Sequence, residues 1–177
     1  MRVIGGIYKH RRFEPPRTFK ARPTTDFAKE SLFNILDNHI DFEDGIVALD
    51  LFAGTGSIGL ELLSRGCDRV VSVEKEPAHH AFICQVMKAV KTDKWLPVRG
   101  DAFRFIEKSE ERFDIVFADP PYELKELEIL PDLIFARQLL NDDGIFILEH
   151  GKRNNFERHP RFVERRVYGS VNFSFFR

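Results

Sequence analysis

Asp50-Leu51-Phe52-Ala53-Gly54-Thr55-Gly56-Ser57-Ile58-Gly59 sets a glycine loop directly between an apolar run, Ile46 to Phe52, and a segment of helical periodicity, Ser57 to Arg65. A strand that is apolar without alternation is one covered on both faces. Gly54 and Gly56 let the backbone turn tightly and approach a ligand. The same alternation continues downstream. Arg69 to Glu74 reads as a strand, Pro77 to Lys91 as a helix with proline in its first turn, and Leu96-Pro97-Val98 as a short strand. A helix then carries Phe103 and Ile106, Phe113 to Ala118 reads as a strand, and Leu127 to Leu140 is mostly helical from Pro131. Ile145 to Glu149 is a fifth strand, and Phe162 to Val167 with Val171 to Phe176 flank Tyr168-Gly169-Ser170 as an antiparallel hairpin. Upstream, Thr24 or Thr25 is placed to cap a helix with apolar positions Ala28, Leu32, Ile35 and Leu36, leaving Lys29, Glu30 and Asn34 on its surface. The expectation is an α/β fold: a mostly parallel, Rossmann-like sheet ending in an antiparallel hairpin.

Three successive strand ends carry polar groups suited to a nucleoside cofactor. After the first come Phe52, Ala53, Gly54 and Gly56; Glu74 and Lys75 close the second, and Asp101 and Ala102 follow the third. In a doubly wound sheet the second position sets an acid against ribose hydroxyls. Asp101 is placed to accept a bond from an adenine amino group. Gly54-x-Gly56-x-x-Gly59 also satisfies the dinucleotide fingerprint, so a nicotinamide enzyme has to be weighed. Against it, Asp50 lies inside the strand, suited to anchor an ammonium and awkward beside a pyrophosphate. The chain also lacks a second domain to present a hydride acceptor. S-adenosyl-L-methionine, with an ammonium at one end and adenosine at the other, fits this acid set better.

Asp119-Pro120-Pro121-Tyr122 follows the strand Phe113 to Ala118. Neither proline can donate to a sheet ladder and both fix φ, so the strand stops in a rigid corner. That corner offers a carboxylate, free carbonyls and an aromatic ring. Asp119 and the Pro120 carbonyl can accept the two N–H bonds of an exocyclic amine while Tyr122 stacks on the heterocycle. A plain proline turn with an exposed tyrosine would be spelled with the same letters, and the corner gains meaning from the cofactor residues beside it.

The 177 residues suit a single domain, with residues 1–22 as a basic arm or small hairpin. The net charge of −1 conceals an uneven distribution. Arg2, Lys9, Arg11, Arg12, Arg17, Lys20 and Arg22 are opposed in the first 22 residues by Glu14 alone. Residues 151–177 hold seven Lys or Arg against Glu157 and Glu164, while the intervening body is strongly acidic. Basic ends on an acidic body suit a polyanion gripped at one edge. Lys9, Arg11, Arg12, Arg17, Lys20 and Arg22 are the RNA-binding candidates, with Phe13 and Phe19 as base contacts. Cys67 and Cys84 have no ligand spacing and read as reduced, buried hydrophobes. His79 and His80 read as partial packing and Trp95 as core, so no metal is expected. With no bilayer-length apolar run and no signal-peptide core, a cytoplasmic, monomeric protein is expected.

The loop from Asp50 to Glu61, Glu74, Asp101 and Asp119-Pro-Pro-Tyr122 together resemble class I methyltransferases acting on exocyclic amines. More narrowly, the chain resembles the RsmD-like ribosomal RNA methyltransferases. That resemblance rests on Gly5-Gly6-x-Tyr8-Lys9-x-Arg11-Arg12, Arg22-Pro23-Thr24-Thr25-Asp26, Leu32-Phe33-Asn34-Ile35-Leu36 and the Tyr168-Gly169 hairpin, and covers essentially the whole chain. It implies methyl transfer from S-adenosyl-L-methionine to the N2 amine of one guanine in 16S rRNA, within the assembled 30S particle. Asp119, Pro120 and Tyr122 would be catalytic. Asp50, Phe52, Ala53, Gly54, Gly56, Glu74, Lys75, Asp101, Ala102 and Asp119 would line the cofactor site. The Asp-Pro-Pro-Tyr motif is shared with DNA adenine N6-methyltransferases, which leaves that reaction as an alternative; a cofactor-bound ribosome-assembly module is another.

Overall fold

A computed structural model describes residues 1–19 and 24–177. Seven strands form one sheet in the order β3-β2-β1-β4-β5-β7-β6. They are β1 (Val47–Leu51), β2 (Arg69–Glu74), β3 (Trp95–Arg99), β4 (Phe113–Ala118), β5 (Leu140–His150), β6 (Phe162–Tyr168) and β7 (Val171–Phe176). The first five are parallel, β7 runs antiparallel between β5 and β6, and Gly169 takes a φ of 63° in the intervening turn. Pro97 is tolerated because β3 lies at the sheet edge, where a missing N–H faces outward.

Helices α1 (Asp26–Leu36), α2 (Ser57–Arg65) and α3 (Pro77–Val90) cover one face through a core that includes Leu32, Phe33, Leu62, Ile83, Phe117 and Phe173. Helices α4 (Ala102–Lys108) and α5 (Leu130–Ala136) cover the other over Leu49, Val71, Val116, Phe146 and Leu148. Thr25 caps α1 by accepting the Ala28 N–H at 3.2 Å. Among the described residues no helix is long and apolar enough to cross a membrane.

Three expectations are corrected. The helical segment before β5 is shorter: a 3-10 turn covers Lys125–Ile129, α5 ends at Ala136, and Leu140 already pairs with Phe113. Strand β5 accordingly starts ahead of the expected Ile145, with an irregularity over Asn141 to Gly144 where Asp143 has a φ of 63°. Cys67 is buried as expected, and burial pushes its thiol up to about 12, but Cys84 is only half-buried. Lys29 is not on the surface. It is 2% exposed, with Nζ 3.5 Å from Glu61 Oε2 and donating to Ser57 Oγ and the Arg2 carbonyl.

That lysine belongs to the seat of the N-terminal hairpin. Arg2 and Arg12 pair as an antiparallel bridge, and Glu61, fully buried in α2, accepts the Ile4 and Gly5 N–H groups at 2.8 Å each. The Ile7 N–H donates to the Ser64 carbonyl at 2.7 Å. Gly6 has a φ of 72°, and a Cβ there would stand 1.6 Å from that carbonyl oxygen. Gly6→Ala is expected to lift the hairpin off α2 at a cost of about 1–3 kcal/mol. Faster tryptic cleavage after Lys9 or Arg11, with the remaining fragment intact, would show it. Unchanged cleavage would mean the hairpin is seated by other contacts.

Candidate active site

The sheet register assembles the site. Leu51 is level with Val73 and with Ala118, and Ala118 with Leu148, so the ends of β2, β1, β4 and β5 emerge side by side. The β1/β4 boundary is where strand order reverses, the position at which open α/β sheets bind ligands. A cleft of about 1010 Å³ opens there. Its lining includes Asp50, Phe52, Ala53, Gly54, Glu74, Lys75, Asp101, Ala102, Asp119, Pro120 and Tyr122. The expected catalytic and cofactor residues therefore share one cavity, except Gly56, which lies behind the wall against Trp95 and Ile83. Trp95 is core, as expected, and its indole N–H donates to Ser72 Oγ at 2.9 Å.

Asp50 is 2% exposed, and its Oδ2 accepts the Gly59 N–H at 3.0 Å and the Ser72 hydroxyl at 3.4 Å. Burial pushes the carboxyl up to about 7, against those two hydrogen bonds and with help from the charge of Glu74. A Cβ on Gly59 would meet Ser72 Oγ at 2.5 Å and Asp50 Oδ2 at 3.1 Å, so the third glycine makes room for this carboxylate.

Glu74 accepts the Gly54 N–H at 2.6 Å through Oε2 and the Glu76 N–H at 2.7 Å through Oε1, tying the glycine loop to the start of α3. Asp101 caps α4 through Oδ1, accepting from Phe103 and Arg104 at 3.0 and 3.2 Å, and Lys75 Nζ stands 3.9 Å from Oδ2. Phe52 holds a left-handed φ of 59°, a conformation costing on the order of 1–3 kcal/mol in a bulky residue. Its ring meets Phe103 edge-on at 5.9 Å across the cleft floor.

The Asp119 N–H donates to the Leu51 carbonyl at 3.3 Å, joining the proline corner to the root of the glycine loop. Pro120 is buried and Tyr122 half-buried. The Tyr122 hydroxyl donates to Glu149 Oε1 at 2.9 Å, and its ring lies so close on Gly151 that a Cβ there would sit 2.9 Å from Cδ2. Glu149, buried at the end of β5, also lines the cleft and was missed in the sequence. The signal that flagged Glu74, an acid closing an apolar strand, would have found it. Next to it, burial holds the His150 imidazole below its ordinary value; Nδ1 donates to the Gly151 carbonyl and Nε2 accepts from Ser174 Oγ.

Of the RNA-binding candidates, Lys9, Arg11, Arg12 and Arg17 are exposed, and Lys20 and Arg22 lie outside the described residues. Arg11 is partly committed to the fold: its Nη2 donates to the Ala89 carbonyl at 3.0 Å, and its guanidinium lies over the rings of Tyr8 and Phe13. Both suggested base contacts are half-buried: Phe13 packs on the core, and Phe19 lies against His79 with centroids 4.2 Å apart and planes tilted at 47°, and meets Phe82 edge-on. Among the described residues no cluster of His, Cys, Asp or Glu could hold a metal ion.

Known proteins show the same architecture. The Escherichia coli protein yhhF, provisionally designated a methyltransferase, superposes with a TM-score of 0.86 at 28% identity, covering 99% of this chain and 96% of its own. YlbH of Bacillus subtilis, provisionally named an rRNA methyltransferase, is 37% identical over 156 residues, which is 86% of this chain and 83% of that one. Ribosomal RNA small subunit methyltransferase D of Escherichia coli K12 is 31% identical over 160 residues, 90% of this chain and 79% of its own. The family model described as conserved hypothetical protein 95 matches residues 1–177, and the chain belongs to that family, the RsmD-like family that its motifs resemble.

Proposed function

We propose that this protein transfers a methyl group from S-adenosyl-L-methionine to the exocyclic N2 of a guanine in 16S rRNA, in the assembled 30S particle. The observation that carries this reading is the meeting of the glycine-loop acids and the Asp-Pro-Pro-Tyr corner on one cleft. The relatives named for rRNA methylation support it.

The residues present fit the cofactor. Asp50 brings a buried carboxylate to the cleft wall, where an ammonium would compensate its desolvation. Glu74 is held by two backbone N–H groups with lone pairs remaining for ribose hydroxyls, and Asp101 keeps Oδ2 for an adenine amine. When bound, the cofactor supplies a methyl group activated by a sulfonium.

On the substrate side, the guanine N2 lone pair is delocalised into the ring and nucleophilically weak. Asp119 and the Pro120 carbonyl accept its two N–H bonds, draw the nitrogen toward tetrahedral geometry and aim the lone pair. Tyr122, fixed by Glu149 and Gly151, stacks on a guanine that is unpaired or flipped out. With the methyl group moved from sulfur to nitrogen, the surplus N2 proton would leave to Asp119 or water. Positioning provides most of the acceleration, and no strong base is needed before attack.

Labelled cofactor offered with unmethylated 30S subunits, naked 16S rRNA and duplex DNA is expected to label the subunits. Labelling of DNA alone would overturn the substrate and keep the cofactor site. Asp50 adds a pH signature. Because burial lifts its carboxyl to about 7 in the free protein, it is protonated below that value and meets the ammonium uncharged. Cofactor affinity is therefore expected to rise about tenfold per pH unit from pH 5 toward 7 and then level. Asp50→Asn should weaken binding and flatten that profile in calorimetric titrations; a native profile flat across this range would show that Asp50 does not pair with the ammonium.

A further inference from the structure

Phe27 is the most conspicuous side chain outside the cleft: its ring is 68% exposed on the first turn of α1. It is held in place by Tyr168, at the β6–β7 turn, whose ring meets it edge-on with centroids 5.9 Å apart and planes at 80°. Tyr168 is itself half-buried and leans on Phe173, which packs on Phe117 of β4. The exposed ring is thus the outer end of an aromatic chain rooted in the sheet that carries Asp119.

Its location ties it to the site. Thr24 and Thr25, immediately before α1, line the cleft, as does Val171, three residues after Tyr168. Each basic segment sends one arginine toward this region. Arg2 of the N-terminal hairpin pairs with Asp26, the residue before Phe27, at 2.9 Å. Arg166 is exposed on β6, on the same face of the strand as Tyr168, where it pairs with Glu164 at 2.6 Å; Arg165 points to the other face and pairs with Glu157. Arg2 and Arg166 are held there by solvent-facing ion pairs, which contribute little and which phosphates can replace, so an apolar ring bordered by these guanidinium groups at the rim of the cleft matches a base joined to phosphates.

We propose that Phe27, buttressed by Tyr168, is a stacking platform for an unpaired RNA base next to the target guanine, with Arg2 and Arg166 facing the flanking phosphates. This rests on the reading of the substrate as RNA, and adds a second aromatic contact that holds the strand open while Tyr122 holds the reacting base. A flipped guanine leaves its neighbour unstacked, and a ring at the rim of the same cleft recovers that loss. Base–aromatic stacking tolerates any base, so the platform contributes affinity and alignment without sequence choice.

The test measures binding of a fluorescently labelled single-stranded oligoribonucleotide, and of unmethylated small subunits, to the native chain and to Phe27→Ala, Phe27→Leu and Phe27→Trp. Phe27 is exposed and lies outside the cleft lining, so all three variants are expected to keep the native Tm and cofactor affinity. Phe27→Ala and Phe27→Leu should each weaken RNA binding about 5- to 150-fold, the range for one lost base stack. Phe27→Trp should bind as the native chain does and have its indole fluorescence quenched by RNA. Native-like binding by Phe27→Ala, or rescue by Phe27→Leu, would overturn the platform and leave methyl transfer standing. A native chain that binds neither RNA nor subunits would overturn the substrate reading itself, and the platform with it.

Discussion

Replacing Asp119 by alanine is expected to lower methyl transfer by about 10²–10³-fold, the range seen when one positioned polar contact to a reacting centre is removed, without loss of cofactor affinity. The expectation follows from the division of labour along the strand ends. In the proposed reading Asp50, Glu74 and Asp101 are assigned to the ammonium, ribose and base of the cofactor, whereas Asp119 stands on the far side of the sheet reversal, anchored to Leu51. Its carboxylate is therefore assigned to the acceptor nitrogen. Asp119→Asn should retain part of the rate, because an amide oxygen still accepts one N–H bond while its charge is lost. Single-turnover kinetics with calorimetric cofactor titration separates the two effects. Equal loss of binding and transfer in Asp119→Ala would place this residue in the cofactor site instead.

The largest expected effect on stability comes from Glu61→Ala. Glu61 is fully buried and receives the Ile4 and Gly5 N–H groups, Lys29 at 3.5 Å and Arg65 Nε at 3.2 Å. Burial already lowers the Lys29 pKa, with the charge of Glu61 opposing that shift. Removing the anion leaves an ammonium buried without its charge partner, at about 3–5 kcal/mol, and orphans two backbone donors besides. For a chain of this size that corresponds to a fall in Tm of about 6–20 °C. Lys29→Met should cost less, since Glu61 keeps its backbone donors and Arg65. Thermal unfolding followed by circular dichroism would compare the two; a smaller loss for Glu61→Ala than for Lys29→Met would reverse the account of this buried pair.

Much of the site was legible because its signals are short-range. A glycine loop after an apolar strand, an acid closing the next strand and two prolines ending another are each written within a few adjacent residues. The parallel register then had little choice but to bring those strand ends together. What could not be read depends on partners distant in sequence. Lys29 falls at a position that helical spacing leaves open, and only the docking of residues 2–5 and of Glu61 makes it interior. Asn141 to Gly144 carries every mark of a turn, yet Asn141 Nδ2 donates to Asp114 Oδ1 at 2.8 Å and is held beside β4. The left-handed Phe52 has no local warning at all, because a bulky aromatic is among the last residues expected there.

The proposed reaction turns on one atom, the exocyclic nitrogen of a guanine held at Asp119. Its most direct test is to digest small subunits methylated by the purified protein to nucleosides and identify the product by chromatography and mass spectrometry. N2-methylguanosine is expected, formed by the native chain and lost in Asp119→Ala. A methyl group on adenine, or on a ring nitrogen of guanine, would contradict the placement of the amine between Asp119 and the Pro120 carbonyl.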